Sequence, residues 1–147
     1  TAILGAFGGA GLITGAARGV KALKRDVRVW GAEPETAAPA ARSFARGSAQ
    51  EFPEWTATFV DGAGGKSVFP RMWQRMQPMV DGVIVVSLDE VKRAMRLMAE
   101  KARVIAEGAG ALGLAAALTG KAGQGPIVAI VSGGNIDLEK FSELISG

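Results

Sequence analysis

Four apolar runs rich in β-branched residues punctuate the chain, at residues 2–7, 27–32, 80–86 and 126–131. The last two are almost continuously hydrophobic (Val83-Ile84-Val85-Val86 and Ile127-Val128-Ala129-Ile130-Val131). Strands buried on both faces have this composition, so the runs predict a parallel sheet. Helical periodicity separates them. Leu12, Ile13, Ala16, Ala17, Val20 and Leu23 mark one face of a first helix. Arg18, Lys21, Lys24 and Arg25 crowd its C-terminal end, where positive charge suits the dipole. Residues 34–46 predict a second helix, with Pro39 in its first turn and Gly47 as its stop. Residues 50–67 show no periodicity and predict a long loop, of the kind that is usually functional or disordered. Residues 70–76 predict a short helix whose Met72, Trp73 and Met76 serve packing.

Ser87-Leu88-Asp89-Glu90 is a capping box directly after the third strand. It opens the strongest helix of the chain, with Val91, Ala94, Met95, Met98 and Ala102 on one side. Glu107-Gly108-Ala109-Gly110-Ala111 leads into an Ala/Leu helix that stops at Gly120. After the fourth strand, Asp137 is placed to cap a final helix over 138–145. The alternation predicts one α/β domain over 1–147: an open, mainly parallel, twisted sheet with flanking helices.

Ligands in such sheets collect at the carboxyl ends of strands. Three polar or glycine-rich turns fall there, at 8–11, at Glu33-Pro34 and at 132–135. The first organises the rest: Phe7-Gly8-Gly9-Ala10-Gly11-Leu12-Ile13 joins a strand to a helix N-terminus. Glycines let the backbone approach an anion closely and adopt φ > 0. The helix start adds free N–H groups and the positive end of a dipole. A tight turn without a ligand is the plainer reading. Two nucleotide signatures are excluded. Thr14 stands at the third glycine of a G-x-G-x-x-G reading from Gly9, and Val60 stands where a P-loop ending at Lys66-Ser67 needs its leading glycine.

Composition removes much chemistry. Histidine and cysteine are both absent. A Ser-His-Asp triad, a His-ligated metal, a disulfide and a thiol nucleophile are excluded within these 147 residues. A net charge of +3, with basic and acidic residues well mixed, argues against a nucleic-acid partner. No run of apolar residues is long enough to span a bilayer, and no leader pattern is evident. A cytoplasmic protein without a membrane partner is the expectation.

Taken together, and in this order, several segments resemble the C-terminal half of the fold-type II pyridoxal-phosphate enzymes, above all the threonine/serine dehydratase (ammonia-lyase) group. The segments are Gly8-Gly9-Ala10-Gly11-Leu12-Ile13, Gly31-Ala32-Glu33-Pro34-Glu35, Asp61-Gly62, Val85-Val86-Ser87-Leu88-Asp89-Glu90, Glu107-Gly108-Ala109-Gly110-Ala111 and Ser132-Gly133-Gly134-Asn135-Ile136-Asp137. They cover nearly the whole chain. The resemblance implies the C-terminal portion of a cofactor-binding large domain and pyridoxal 5'-phosphate as cofactor. It implies β-elimination of a hydroxy amino acid to a 2-oxo acid and ammonia, with a serine racemase-like activity as the alternative. A non-catalytic module that binds phosphate or carboxylate is the reading from another class.

The resemblance also implies site residues. Backbone N–H groups of Gly8, Gly9, Ala10, Gly11 and Leu12 would hold the cofactor phosphate. Ala10 stands where the family usually has a third glycine; its N–H survives the change, but φ > 0 there would be strained. Ser132, followed by Gly133, would place a hydroxyl at the pyridine nitrogen; otherwise it is a turn or helix cap. Glu107 would lie near ring and substrate; otherwise it is a charge at a helix N-terminus. Gly62 would lie beside the ring; otherwise Asp61-Gly62 is a plain turn. Glu33 and the Ala37 carbonyl match a divalent or monovalent cation site of some members, where this chain has Pro39 in place of a further carboxylate.

The family's Schiff-base lysine lies before the glycine loop, in a Ser-Phe-Lys-type motif. Residue 1 already begins the strand leading to that loop. Ser43-Phe44-Ala45 has no amine, and the lysines (Lys21, Lys24, Lys66, Lys92, Lys101, Lys121 and Lys140) sit on segments that read as solvated. A covalent lysine must be desolvated and aimed at the cofactor. The chain therefore reads as a dehydratase fragment, inactive alone, that self-associates or pairs with the missing N-terminal segment.

Overall fold

The computed structural model describes residues 1–147. Strands β1 (Ala2–Ala6), β2 (Arg28–Pro34), β3 (Gly82–Val86) and β4 (Ile127–Ala129) form one sheet in the order β3-β2-β1-β4. Every pairing is parallel, as expected, but the two runs read as buried on both faces are the edge strands β3 and β4, and β4 is only partly covered because no strand lies beyond it. Register is set by Leu4 opposite both Trp30 and Ala129, and by Ala32 opposite Ile84.

Side-chain alternation along β1 divides the core. Ala2, Leu4 and Ala6 face helices α4 (Leu88–Leu97), α5 (Gly108–Leu118) and α6 (Leu138–Ile145). Phe7 joins the other face, with Ile13 and Ala17 of α1 (Gly11–Leu23), Ala40 of α2 (Pro39–Arg46) and Met76 of α3 (Pro70–Met76). The result is a helix–sheet–helix sandwich. Helix α5 is buried nearly all round, from Gly108 to Ala116, so its sequence shows no polar face. It packs under β1 and β4 closely enough that a Cβ at Gly113 would stand 2.9 Å from the Leu4 carbonyl oxygen.

Several boundaries differ from the sequence reading. Helix α2 begins at Pro39, five residues after the expected Pro34, because Pro34 pairs with Val86 as the last residue of β2. Ala38 precedes a proline, and its φ of −123° is not helical. The third strand starts at Gly82 rather than Val80, and the fourth is confined to Ile127–Ala129. The capping box is present: the Glu90 N–H donates to Ser87 Oγ at 3.1 Å, and the Ser87 N–H donates to Glu90 Oε2 at 2.7 Å. Ala102, however, is exposed. After Leu97 the helix widens to a π turn over Met98–Ala102, which rotates Ala102 off the apolar face, and Arg103 ends it in the left-handed region at φ 58°. Asp137 occupies the N-cap of α6, but its side chain makes no capping hydrogen bond. No helix is long and apolar enough to cross a membrane.

Candidate functional site

The turn from β1 into α1 sits at a strand's carboxyl end. Its glycines are not where the backbone turns left-handed. Gly8, Gly9 and Gly11 keep φ outside that region, and Ala10, the N-cap of α1, takes φ 69°. The strained conformation anticipated for this residue is therefore the one it adopts, at a cost of about 1–2 kcal/mol. What the glycines supply is room. A Cβ on Gly9 or Gly11 would meet nothing within 4 Å.

The same stretch is rich in free donors. Phe7 N–H donates to the Ala32 carbonyl, and Thr14 N–H to the Ala10 carbonyl. Between them, the N–H groups from Gly8 to Ile13 find no acceptor in the protein. Half-exposed Leu12 carries one of them. Successive free N–H groups beside open space at a helix N-terminus make an anion cradle, with the positive end of the helix dipole behind it.

Four of the anticipated residues are contiguous. The Gly62 carbonyl oxygen lies 3.5 Å from a Cβ built on Gly8, and the Gly64 N–H donates to the Phe7 carbonyl at 3.0 Å. A Cβ on Gly62 would stand 3.7 Å from Glu107 Oε2. One on Gly133 would overlap Glu107 Oε1, and the Glu107 N–H donates to the Gly133 carbonyl at 3.1 Å. Gly8, Gly62, Glu107 and Gly133 thus form a continuous line across the strand ends. Ser132 is exposed, and its hydroxyl has no partner in the protein. Glu107 also borders a 490 Å³ cavity with Asp61, Asn135, Asp137 and Lys140.

Glu33 stands apart from this line. Its fully buried carboxylate accepts the N–H groups of Ala40 and Ala41, each at 2.9 Å, and so caps α2. Burial pushes its pKa up to about 7, and the two N–H groups pull the other way. The Ala37 carbonyl packs on Gly64. These residues fit a cation poorly. One carboxylate already holds two N–H groups, Pro39 supplies no second, and no group of three His, Cys, Asp or Glu side chains gathers anywhere in the structure.

The sequence pattern leaves unexplained why α5 carries Gly110 and Gly113. At Gly110, a Cβ would collide with the Gly133 carbonyl. The spacing of Gly110 and Gly113 in an Ala/Leu helix is the available sign of so close a contact.

Residues 1–133 match the family described as "Pyridoxal-phosphate dependent enzyme". The chain belongs to the pyridoxal-phosphate dependent enzyme family. It is 35% identical over 142 residues to the L-threonine dehydratase catabolic TdcB of Escherichia coli strain K12, covering 94% of this chain and 43% of that one. Among solved structures of the family, the threonine deaminase from T.th. superposes with a TM-score of 0.86 at 36% identity, covering 93% of this chain and 50% of that one. Maize serine racemase gives 0.86 at 34% identity, with 99% and 47% covered. The chain thus spans half or less of the length of these pyridoxal-phosphate enzymes. Its open parallel sheet with flanking helices is theirs.

Proposed function

We propose that the intact protein to which this chain belongs is a pyridoxal-phosphate-dependent ammonia-lyase. It would act on L-threonine or L-serine and release a 2-oxo acid and ammonia. The observation that carries this reading is the unpartnered row of N–H groups from Gly8 to Ile13, in line with Gly62, Glu107 and Gly133. The similarity to threonine dehydratases supports this reaction class.

When bound, pyridoxal phosphate supplies an electron sink for charge developing at the substrate Cα. The chain's own residues would do the holding. Gly8, Gly9, Ala10, Gly11 and Leu12 present N–H donors to the phosphate without carrying charge into the site. The Ser132 hydroxyl is offered to the pyridine nitrogen. A hydroxyl does not force that nitrogen to stay protonated as a carboxylate would, so the sink is mild. A mild sink suits elimination, in which the β-hydroxyl leaves promptly. Gly62 keeps the approach to the ring clear of a side chain, and Glu107 brings the one carboxylate of this line.

Similarity to maize serine racemase supports a second reading, racemisation of serine. Assay of the intact protein for 2-oxo acid formation against D-serine formation separates them. Elimination dominates under the first reading, and racemisation without elimination would overturn it. A homo-oligomer, or pairing with an N-terminal segment of the intact protein, is the assembly we propose. The half-exposed Val128 of edge strand β4 and the exposed Leu138 are apolar surface that wants cover.

A further inference from the structure

The glycine turn forms only one side of its cavity. The space, 240 Å³ in volume, is bounded on one side by Phe7, Gly8, Gly9 and Ala10, and on the other by the segment from Gly65 to Phe69. Lys66 is the one charged residue on its lining.

That facing segment is held in place. Ser67 bridges Glu51 in antiparallel fashion, with the Phe52 N–H on the Lys66 carbonyl at 2.8 Å and the Val68 N–H on the Gln50 carbonyl at 3.0 Å. In such a pair the residue between the two bonds turns its own N–H and C=O to the opposite side. The Ser67 N–H accordingly has no acceptor in the protein. The Trp55 indole N–H donates to the Gly64 carbonyl at 3.1 Å, and the Lys66 ammonium stands 4.7 Å from the centroid of a Trp55 ring. A cation over indole is attracted by the ring's negative face; Trp55 itself is not on the lining of this cavity.

A phosphate monoester carries about −1.5 to −2 at neutral pH, whereas a helix N-terminus offers about +0.5. Neutral N–H groups can orient the phosphate but leave most of its charge uncompensated. We propose that Lys66 and Ser67 form the second wall of the phosphate site, the lysine giving the counter-charge and the serine further donors. This rests on the assignment of pyridoxal phosphate to the Gly8–Leu12 turn.

The test is equilibrium titration of the intact apoprotein with pyridoxal phosphate and, separately, with pyridoxal, which lacks the phosphate. Lys66→Met should weaken pyridoxal phosphate about tenfold, the scale of one charge-assisted hydrogen bond, and leave pyridoxal unchanged. Lys66→Arg should restore most of the affinity, and the Lys66→Met defect should shrink as salt is raised. Ser67→Ala should weaken the phosphate ester several-fold with the same indifference to pyridoxal. Unaltered pyridoxal phosphate affinity in Lys66→Met, or equal losses for both ligands, would overturn the proposal. Gly9→Asp is the control for the underlying assignment. If it binds pyridoxal phosphate like wild type, the assignment itself fails. If it does not, and Lys66→Met does, only the second wall is wrong.

Discussion

The Glu107 carboxylate rests against the Cα of Gly133, leaving no room for a Cβ between them. The same carboxylate lies on the Gly62 side of the line, with Oε2 3.7 Å from a Cβ built there. The acidic side chain thus lies between two turns, and the missing side chain of Gly133 makes the room for it.

This arrangement predicts a specific coupling. Gly133→Ala should destabilise the protein by about 1–3 kcal/mol, the usual cost of overpacking. In a Glu107→Ala background the same substitution should cost clearly less, because the overlapping oxygen is gone. Urea unfolding of the four proteins of this cycle measures the coupling. Equal costs in both backgrounds would show that Glu107 does not set the requirement for glycine.

Ala10 holds a left-handed conformation at the start of α1. Ala10→Gly should relieve about 1–2 kcal/mol of strain against roughly 0.4–1 kcal/mol of added unfolded-chain entropy. A net gain of about 0.5–1 kcal/mol is expected in a denaturant titration. Destabilisation would mean that the Ala10 methyl, buried in the core beside Ile13, contributes more than the strain removes.

Glu33 gives a pH dependence with a definite sign. Its pKa in the folded chain, about 7, lies above the ordinary 4.5, so the folded state holds a proton that the unfolded state has released. Stability should therefore fall as pH rises from about 4.5 to about 7, by an amount on the order of 3 kcal/mol for a shift of this size, and level off above. Glu33→Gln should abolish this slope. Thermal melts of both proteins at pH 5 and pH 8 check it. A wild type that gains stability over this interval, with the variant flat, would reverse the sign assigned to burial.

Ser132→Ala isolates the ring from the phosphate. The exposed hydroxyl has no structural partner to lose, so folding should be untouched. Affinity for pyridoxal phosphate should drop several-fold while inorganic phosphate binds as before. Equal effects on both ligands would remove the hydroxyl from the ring nitrogen.

Much of this is legible from residue pattern alone. The continuously apolar runs around Ile84 and Val128 announce a parallel sheet, although both end up on its edge strands and Val128 is half-exposed, and Ser87 with Glu90 announces its helix start. The glycine turn can be read as a candidate anion site because strand, glycines and helix follow one another directly. Long-range contacts are not. Nothing local to Pro34 says that it pairs with Val86, so the local pattern there reads as helix although the residue ends a strand. Nothing around Ala102 announces the π turn that rotates it outward. Family pattern points Glu33 at a cation, whereas its oxygens hold α2 seven and eight residues further on. Lys66 is hidden for the same reason: a solvated-looking loop lysine acquires meaning only when the fold sets it across a cavity from Gly9.

The central claim is that the turn after β1 is a phosphate cradle. It is tested most directly by titrating the intact protein and its Gly9→Asp variant with pyridoxal phosphate and inorganic phosphate. A side chain at residue 9 meets nothing within 4 Å at its Cβ, so the variant should fold. Its carboxylate would stand where the phosphate is held and repel it. The account predicts that wild type binds both ligands and that Gly9→Asp binds neither measurably. Equal binding of both ligands by the two proteins would show that this stretch is only a turn.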